Sequence, residues 1–308
     1  MQTGLKIARV LDNPREQWQA IRNAARGNRR TAYRALDVDW KKYNTDEYLF
    51  THDTACCSVA TEENGYWIKP ACWELVNANG NAWTNVVLLG SYKTFVGGEN
   101  FCEHLQLPAL SKGKILDAII RPVHHHSEQQ NADADIYYVD VLVATSRKHS
   151  ALVEKIESGK LNTLSMGTIC NGTTCSICGK RIYDGDKNCE HLDRHLGKMV
   201  KCSDGKERIC AELCGCVDDN GNYEEGTNSF IEISWVQYPA FEGAVVNSFV
   251  ETPMVRKARE EERDELSKLF EGNLFERLKV ADVESRVALR IASEETRADR
   301  IADRIFKN

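Results

Sequence analysis

Eight of the chain's twelve cysteines fall between Cys170 and Cys216, and that crowding constrains the fold more than any other feature. Within it, Cys175-Ser-Ile-Cys178-Gly is followed by Cys189-Glu-His191, with ten residues between Cys178 and Cys189. A Cys-x-x-Cys-Gly turn aims two thiolates at one centre, and Cys189 with His191 supplies the other two corners of a tetrahedron. Cysteine and histidine together favour Zn²⁺ over hard cations, which take oxygen ligands. The intervening GKRIYDGDKN is polar, holds two glycines and cannot build a core of its own. A metal has to organise it, because little apolar burial offsets the entropy of ordering the loop. Four protein ligands leave no open position for water, so a bound Zn²⁺ would be structural. Unliganded surface thiols and disulfides are the alternatives, and His195, one helical turn past His191, is a reserve fourth ligand. Cys202, Cys210, Cys214 and Cys216 have poorer spacing for a second site and read better as buried cysteines in a strand pair.

Composition narrows the class. A length of 308 residues fits one large domain or two ordinary ones, and 42% hydrophobic residues suffice for a core. Forty basic against forty-six acidic residues exert no global pull toward nucleic acid. No apolar run approaches 18 residues, and the first residues lack the apolar segment of a secretory signal. The expectation is therefore a reducing compartment, with metal binding favoured over disulfides and no membrane partner.

Three zones follow along the chain. Residues 1–44 form a basic N-terminal region, with ten Lys/Arg against four Asp/Glu and a helical pattern from Pro14 to Leu36. Residues 45–250 alternate apolar runs with turns. Residues 251–308 read as a charged helical tail, with apolar positions such as Leu266, Leu269, Phe270, Val283 and Val287 at spacings of three and four. Within the middle zone, strands are predicted near 85–95, 114–123, 136–144, 161–167 and 229–237, with a helix over 147–158 stopped by Gly159. Tyr137, Val139, Val141 and Val143 alternate with Tyr138, Asp140 and Leu142, the period of a half-buried strand. Strands outnumber helices, so a barrel or sandwich core with a few helices is the economical expectation.

Candidate chemistry lies outside the cysteine cluster. Ser165 follows a helix, a turn at Gly159 and a short apolar strand, and Gly167 beside it permits close backbone approach. A Ser-x-Gly alone is more often structural. His104 stands in GGENFCEHLQLP, where a lone histidine is more often a satisfied structural residue. His124, His125 and His126 follow Pro122 and read as a solvated loop, and His149 opens the 147–158 helix. Glu232 sits inside the apolar strand FIEISWVQYPA, so it must be paired, solvated at an edge, or functional.

In this order, four motifs resemble the phage prohead (head maturation) proteases, a family related in fold to the herpesvirus maturational protease. They are ENFCEH around His104 with its following Ser-Lys-Gly-Lys strand, Gly-Lys-Leu-x-x-Leu-Ser-Met-Gly around Ser165, the knuckle CSICG…CEHL, and Glu-Ile-Ser-Trp-Val…Pro-Ala around Glu232. The likeness covers about residues 85–247 and rests on the ordered set, since no single motif is specific. It implies an α+β fold: a small, mostly antiparallel β-barrel ringed by helices, with a zinc-knuckle insertion over about 168–229. It further implies a serine endopeptidase that cleaves scaffold and major capsid proteins, and itself, inside the assembling procapsid in the host cytoplasm. Association with itself or with the scaffold core goes with that role. Ser165 then matches the nucleophile, His104 the general base and Glu232 the residue that orients His104, with His149 the runner-up for the third place. The alternative is a non-catalytic zinc-knuckle virion structural or interaction protein. Nucleic acid is not the expected partner, because residues 175–195 balance their charges and carry one aromatic, Tyr183.

Overall fold

A computed structural model describes residues 42–249. The basic N-terminal region up to residue 41 and the whole of the charged tail, 251–308, lie outside the described residues. In chain order the elements are β1 (Tyr48–Cys57), β2 (Asn81–Ala82), α1 (Asn85–Ser91), β3 (Glu99–Cys102), β4 (Gly113–Ser127), β5 (Ala132–Ser146), α2 (Ser150–Glu157), β6 (Leu164–Cys170) and β7 (Gly172–Cys175). They continue with β8 (Arg181–Tyr183), α3 (Glu190–His195), β9 (Met199–Lys201), β10 (Glu207–Ile209), β11 (Glu212–Cys214), β12 (Asn228–Trp235) and β13 (Val246–Phe249).

The strands build a seven-stranded sheet in the order β13-β1-β5-β4-β3-β12-β6, a four-stranded sheet β2-β11-β7-β8 and the two-stranded β10-β9. Both larger sheets are mixed, because β12 pairs in parallel with β3 and β11 with β2. The large sheet is not the closed barrel expected. Its end strands meet only around one isolated bridge, Thr163–Val245, where Leu164 N–H donates to Ala244 O at 3.0 Å and Val246 N–H to Asn162 O at 3.0 Å. Beyond the bridge, residues of the 77–83 and 240–244 segments line the gap between β1 and β6, so the ladder cannot continue. Nor is there a ring of helices: the three α-helices among the described residues span seven, eight and six residues. No described helix is long and apolar enough to cross a membrane.

The main core lies on one face of the large sheet, where Val139, Val141 and Val143 of β5 meet Leu164, Ile233, Trp235, Phe95 and Phe230. Phe95 and Phe230 stack with ring centroids 4.3 Å apart. Trp235 Nε1–H donates to Asn100 Oδ1 and to Thr145 Oγ1, both at 3.1 Å, which satisfies the indole inside the core. The period of two in β5 is present, but the strand is buried on both faces: Leu142 and Ala144 pack with Phe50, Leu116 and Ile119.

The 85–95 segment is a correction. It is helix α1 followed by a 3-10 turn, not a strand. Thr84 decides it by capping the helix, its Oγ1 accepting from Val87 N–H at 3.3 Å. The histidine run is another: His124, His125 and His126 lie in β4, paired with the aspartates of β5 and with Glu74.

Candidate functional site

β6 and β12 run antiparallel, with Ser165 opposite Ser234 and Gly167 opposite Glu232. Side chains alternate along a strand, so these four residues share one face while Leu164, Met166, Ile233 and Trp235 point to the core cluster. On that face Glu232 is almost fully buried and its carboxylate is well supplied with donors. Ser234 Oγ–H donates to Glu232 Oε2 at 2.7 Å, and Gln106 Nε2–H donates to Oε1 at 3.3 Å. A Cβ at Gly167 would overlap Glu232 Oε1. The glycine therefore makes room for the carboxylate, a different use from the approach to Ser165 expected of it.

His104 is delivered by a strained turn at the end of β3. Glu103 and His104 both lie in the left-handed region, at φ 49° and 55°. For residues other than glycine each such conformation costs about 1–3 kcal/mol and persists only where the surroundings enforce it. Here Glu103 N–H donates to Trp235 O at 3.0 Å, His104 N–H to Ser234 Oγ at 3.3 Å, and Glu103 Oε1 accepts from Gln237 N–H at 3.0 Å. The turn is thus stitched to β12. It sets His104 Nδ1 at 2.7 Å from Glu232 Oε1. That hydrogen bond raises the imidazole pKa above its ordinary 6.5 against the opposing pull of burial. With Nδ1–H donated to the carboxylate, Nε2 is the acceptor nitrogen.

His104 and Ser165 line one pocket of about 110 Å³, together with Met166, Asn77, Asn81 and Trp83. Among the described residues, the Ser165 hydroxyl makes no hydrogen bond to the imidazole. His149 is not part of this group. It is the N-cap of α2, makes no side-chain capping bond there, and does not line the pocket.

The candidate metal-ligand cluster lies further along the chain, between residues 175 and 191. Sγ of Cys175, Cys178 and Cys189 and a ring nitrogen of His191 all lie within 4.8 Å of one another. Gly179, at φ 70°, permits the tight knuckle, in which Gly179 N–H donates to Cys175 O at 2.9 Å and Ile177 N–H to Cys175 Sγ at 3.4 Å. Cys189 caps α3 and His191 lies in its first turn. His191 Nδ1 is buried without a hydrogen-bond partner, which a coordinated cation would satisfy. The soft donor set suits a metal such as zinc. Burial pushes the Cys178 thiol up to about 11, and a bound cation would reverse that by stabilising the thiolate. His195 is outside the cluster.

No second group of ligands converges among the described residues. Cys210 packs beside Cys175, with Cys202 at the edge of the same small cluster, whereas Cys214 belongs to the main core and Cys216 donates to Thr173 O. The insertion is not self-contained, because β2 from outside it completes the four-stranded sheet.

Sequence reasoning missed Ser234, Gln106 and the asparagine wall. The first two were within reach: Glu232-x-Ser234 puts both side chains on one strand face, and His104-x-Gln106 places an amide beside the imidazole. The wall gave no local signal. No family model matches the chain, and neither a curated protein nor a solved structure matches it.

Proposed function

We propose that the chain is a serine endopeptidase of the prohead type, cleaving scaffold and major capsid proteins, and itself, during procapsid maturation in the host cytoplasm. The observation that carries this reading is His104, held by a buried Glu232, lining one pocket with Ser165. A serine hydroxyl is a weak nucleophile near neutral pH and needs a base. Ser165 Oγ attacks the scissile carbonyl as His104 Nε2 takes its proton, and Glu232 stabilises the imidazolium that forms. The proton then passes from Nε2 to the leaving amine as the C–N bond breaks, and water repeats the sequence to release the acyl group. Substrate binding draws the hydroxyl and imidazole together, since such bonds are commonly long before substrate is present.

Cys175, Cys178, Cys189 and His191 would hold Zn²⁺, which supplies a structural cross-link and no step of the reaction. The open Ser165–His104 geometry favours the second reading, a zinc-knuckle interaction protein without catalysis. Mass spectrometry of wild type and Ser165→Ala incubated with the candidate scaffold protein separates the two. Wild type is expected to cut scaffold and trim itself, and Ser165→Ala to do neither, with kcat reduced about 10⁶-fold and the fold intact. Undiminished cleavage by the variant, or none by wild type, rejects the enzyme.

A further inference from the structure

One wall of the pocket beside Ser165 does not come from the large sheet. Asn77, Asn79, Asn81 and Trp83 line it, yet the only strand in that segment is the two-residue β2. So short a strand cannot hold a wall alone. Val59 N–H donates to Trp83 O at 2.7 Å and Ala78 N–H to Ala240 O at 2.8 Å, which ties the segment's two ends to the rest of the protein, and its middle is braced by the cysteine-rich insertion.

Two sets of contacts brace the middle. In the first, β2 pairs with β11, Asn81 opposite Glu212 and Ala82 opposite Leu213. Glu212 N–H donates to Gly80 O at 2.9 Å, and Asn81 Nδ2–H donates to Glu212 Oε2 at 2.8 Å. In the second, Gly80, at φ 80°, lies directly against the end of α3. A Cβ there would sit 2.7 Å from Leu196 Cγ and 3.1 Å from Gly197 N. Leu196 caps the helix that carries His191, and Gly197 N–H donates to Cys210 O at 2.7 Å, beside Cys175. From a metal ligand to the pocket wall there are thus two steps, His191 to Leu196 along α3 and Leu196 to Gly80 across a packed contact.

That path depends on α3 being formed. Six residues are too few for a helix to stand by itself in water. The apolar cluster beneath it has only five buried members, Cys175, Ile177, Ile182, Leu192 and Cys210. In such a segment metal binding supplies the folding free energy. We propose that metal binding at Cys175, Cys178, Cys189 and His191 sets the wall of the Ser165 pocket, with Leu196 and Glu212 as the positioning residues that transmit it. The metal is then a control on substrate binding, without touching the reacting atoms. Its consequence for turnover rests on the protease reading; its structural part does not.

Hydrogen exchange on full-length Ser165→Ala, with zinc and after chelation, tests it. Metal removal is expected to speed exchange about tenfold or more in 77–83 together with 189–197, while peptides from β4 and β5 keep their protection. Protection of 77–83 that survives the loss of 189–197 would overturn the proposal, as would loss spread equally over β4 and β5. Leu196→Ala on the zinc-loaded chain is the second arm. It should bind one zinc per chain yet speed exchange at 77–83, and in the Ser165 background raise KM several-fold at unchanged kcat. An unmoved wall in that variant, or a fall in kcat alone, counts against Leu196 as transmitter. A wild type that cleaves nothing rejects the protease and leaves the exchange result to stand by itself.

Discussion

The large sheet and the cysteine-rich insertion are stabilised in opposite ways. The sheet closes over a cluster of twenty buried residues, from Leu49 to Trp235, drawn from strands and helices far apart in the chain. The insertion has a cluster of five, two of them cysteines, and four converging metal-ligand residues. Hydrophobic burial makes the first region a cooperative unit that loses stability gradually as side chains are cut back. A small domain with few apolar contacts leans on a cross-link, so a metal held by these four residues would make the second fail all at once on its removal. Each region contributes to the pocket: the sheet carries His104 and Ser165, and the insertion braces the wall at 77–83.

The sharpest way to break this contrast is Cys175→Ser. Structural zinc sites of this type contribute about 10 kcal/mol or more of apparent binding free energy, so the insertion should unfold outright. Limited proteolysis is expected to nick 171–227 and spare the large sheet, and zinc content should fall below one per chain. A variant that stays protease-resistant throughout would make the insertion a self-sufficient domain.

Phe230→Ala probes the other side. Phe230 is 1% exposed and stacks on Phe95, so its removal should cost about 3–5 kcal/mol and lower Tm by roughly 10 °C. The zinc stoichiometry of the folded protein should not change. Loss of metal together with loss of core packing would show the two regions to be one cooperative unit.

The smallest effect is expected from Glu232→Gln, which keeps the shape and removes the charge. The His104 pKa lies above 6.5 because of its bond to Glu232, so the basic form appears only as pH rises through that raised value. Under the proposed protease function, cleavage by wild type should therefore increase with pH across a midpoint above 6.5, and the variant's midpoint should move down. For stability the sign is opposite: the His104–Glu232 attraction is complete below the unfolded value of 6.5 and fades as pH rises through the folded one. An unchanged midpoint would remove Glu232 from its assigned place.

What could be seen in advance followed from short-range pattern. The alternation in β5, the stop at Gly159 and the Cys175/Cys178/Cys189/His191 spacing all reflect geometry within a dozen or so residues. An apolar run as short as Asn85-Val-Val-Leu-Leu-Gly is compatible with strand or helix by periodicity, and Thr84 was the cue that could have decided it. The open sheet and the parallel pairing of β2 with β11, about 130 residues apart, leave no mark on local sequence. Neither does the left-handed pair at Glu103 and His104, since nothing adjacent is glycine.

That pair couples two demands on a single position. Residue 104 must accept a positive φ and, under the proposed protease function, must also carry a proton acceptor, and few amino acids meet the first requirement without glycine's freedom; asparagine and aspartate do. A library randomised there and selected only for soluble expression should therefore return asparagine, aspartate and glycine beside histidine. Selection for turnover should return histidine alone, and the gap between the two pools would separate architectural necessity from chemical necessity at that one site.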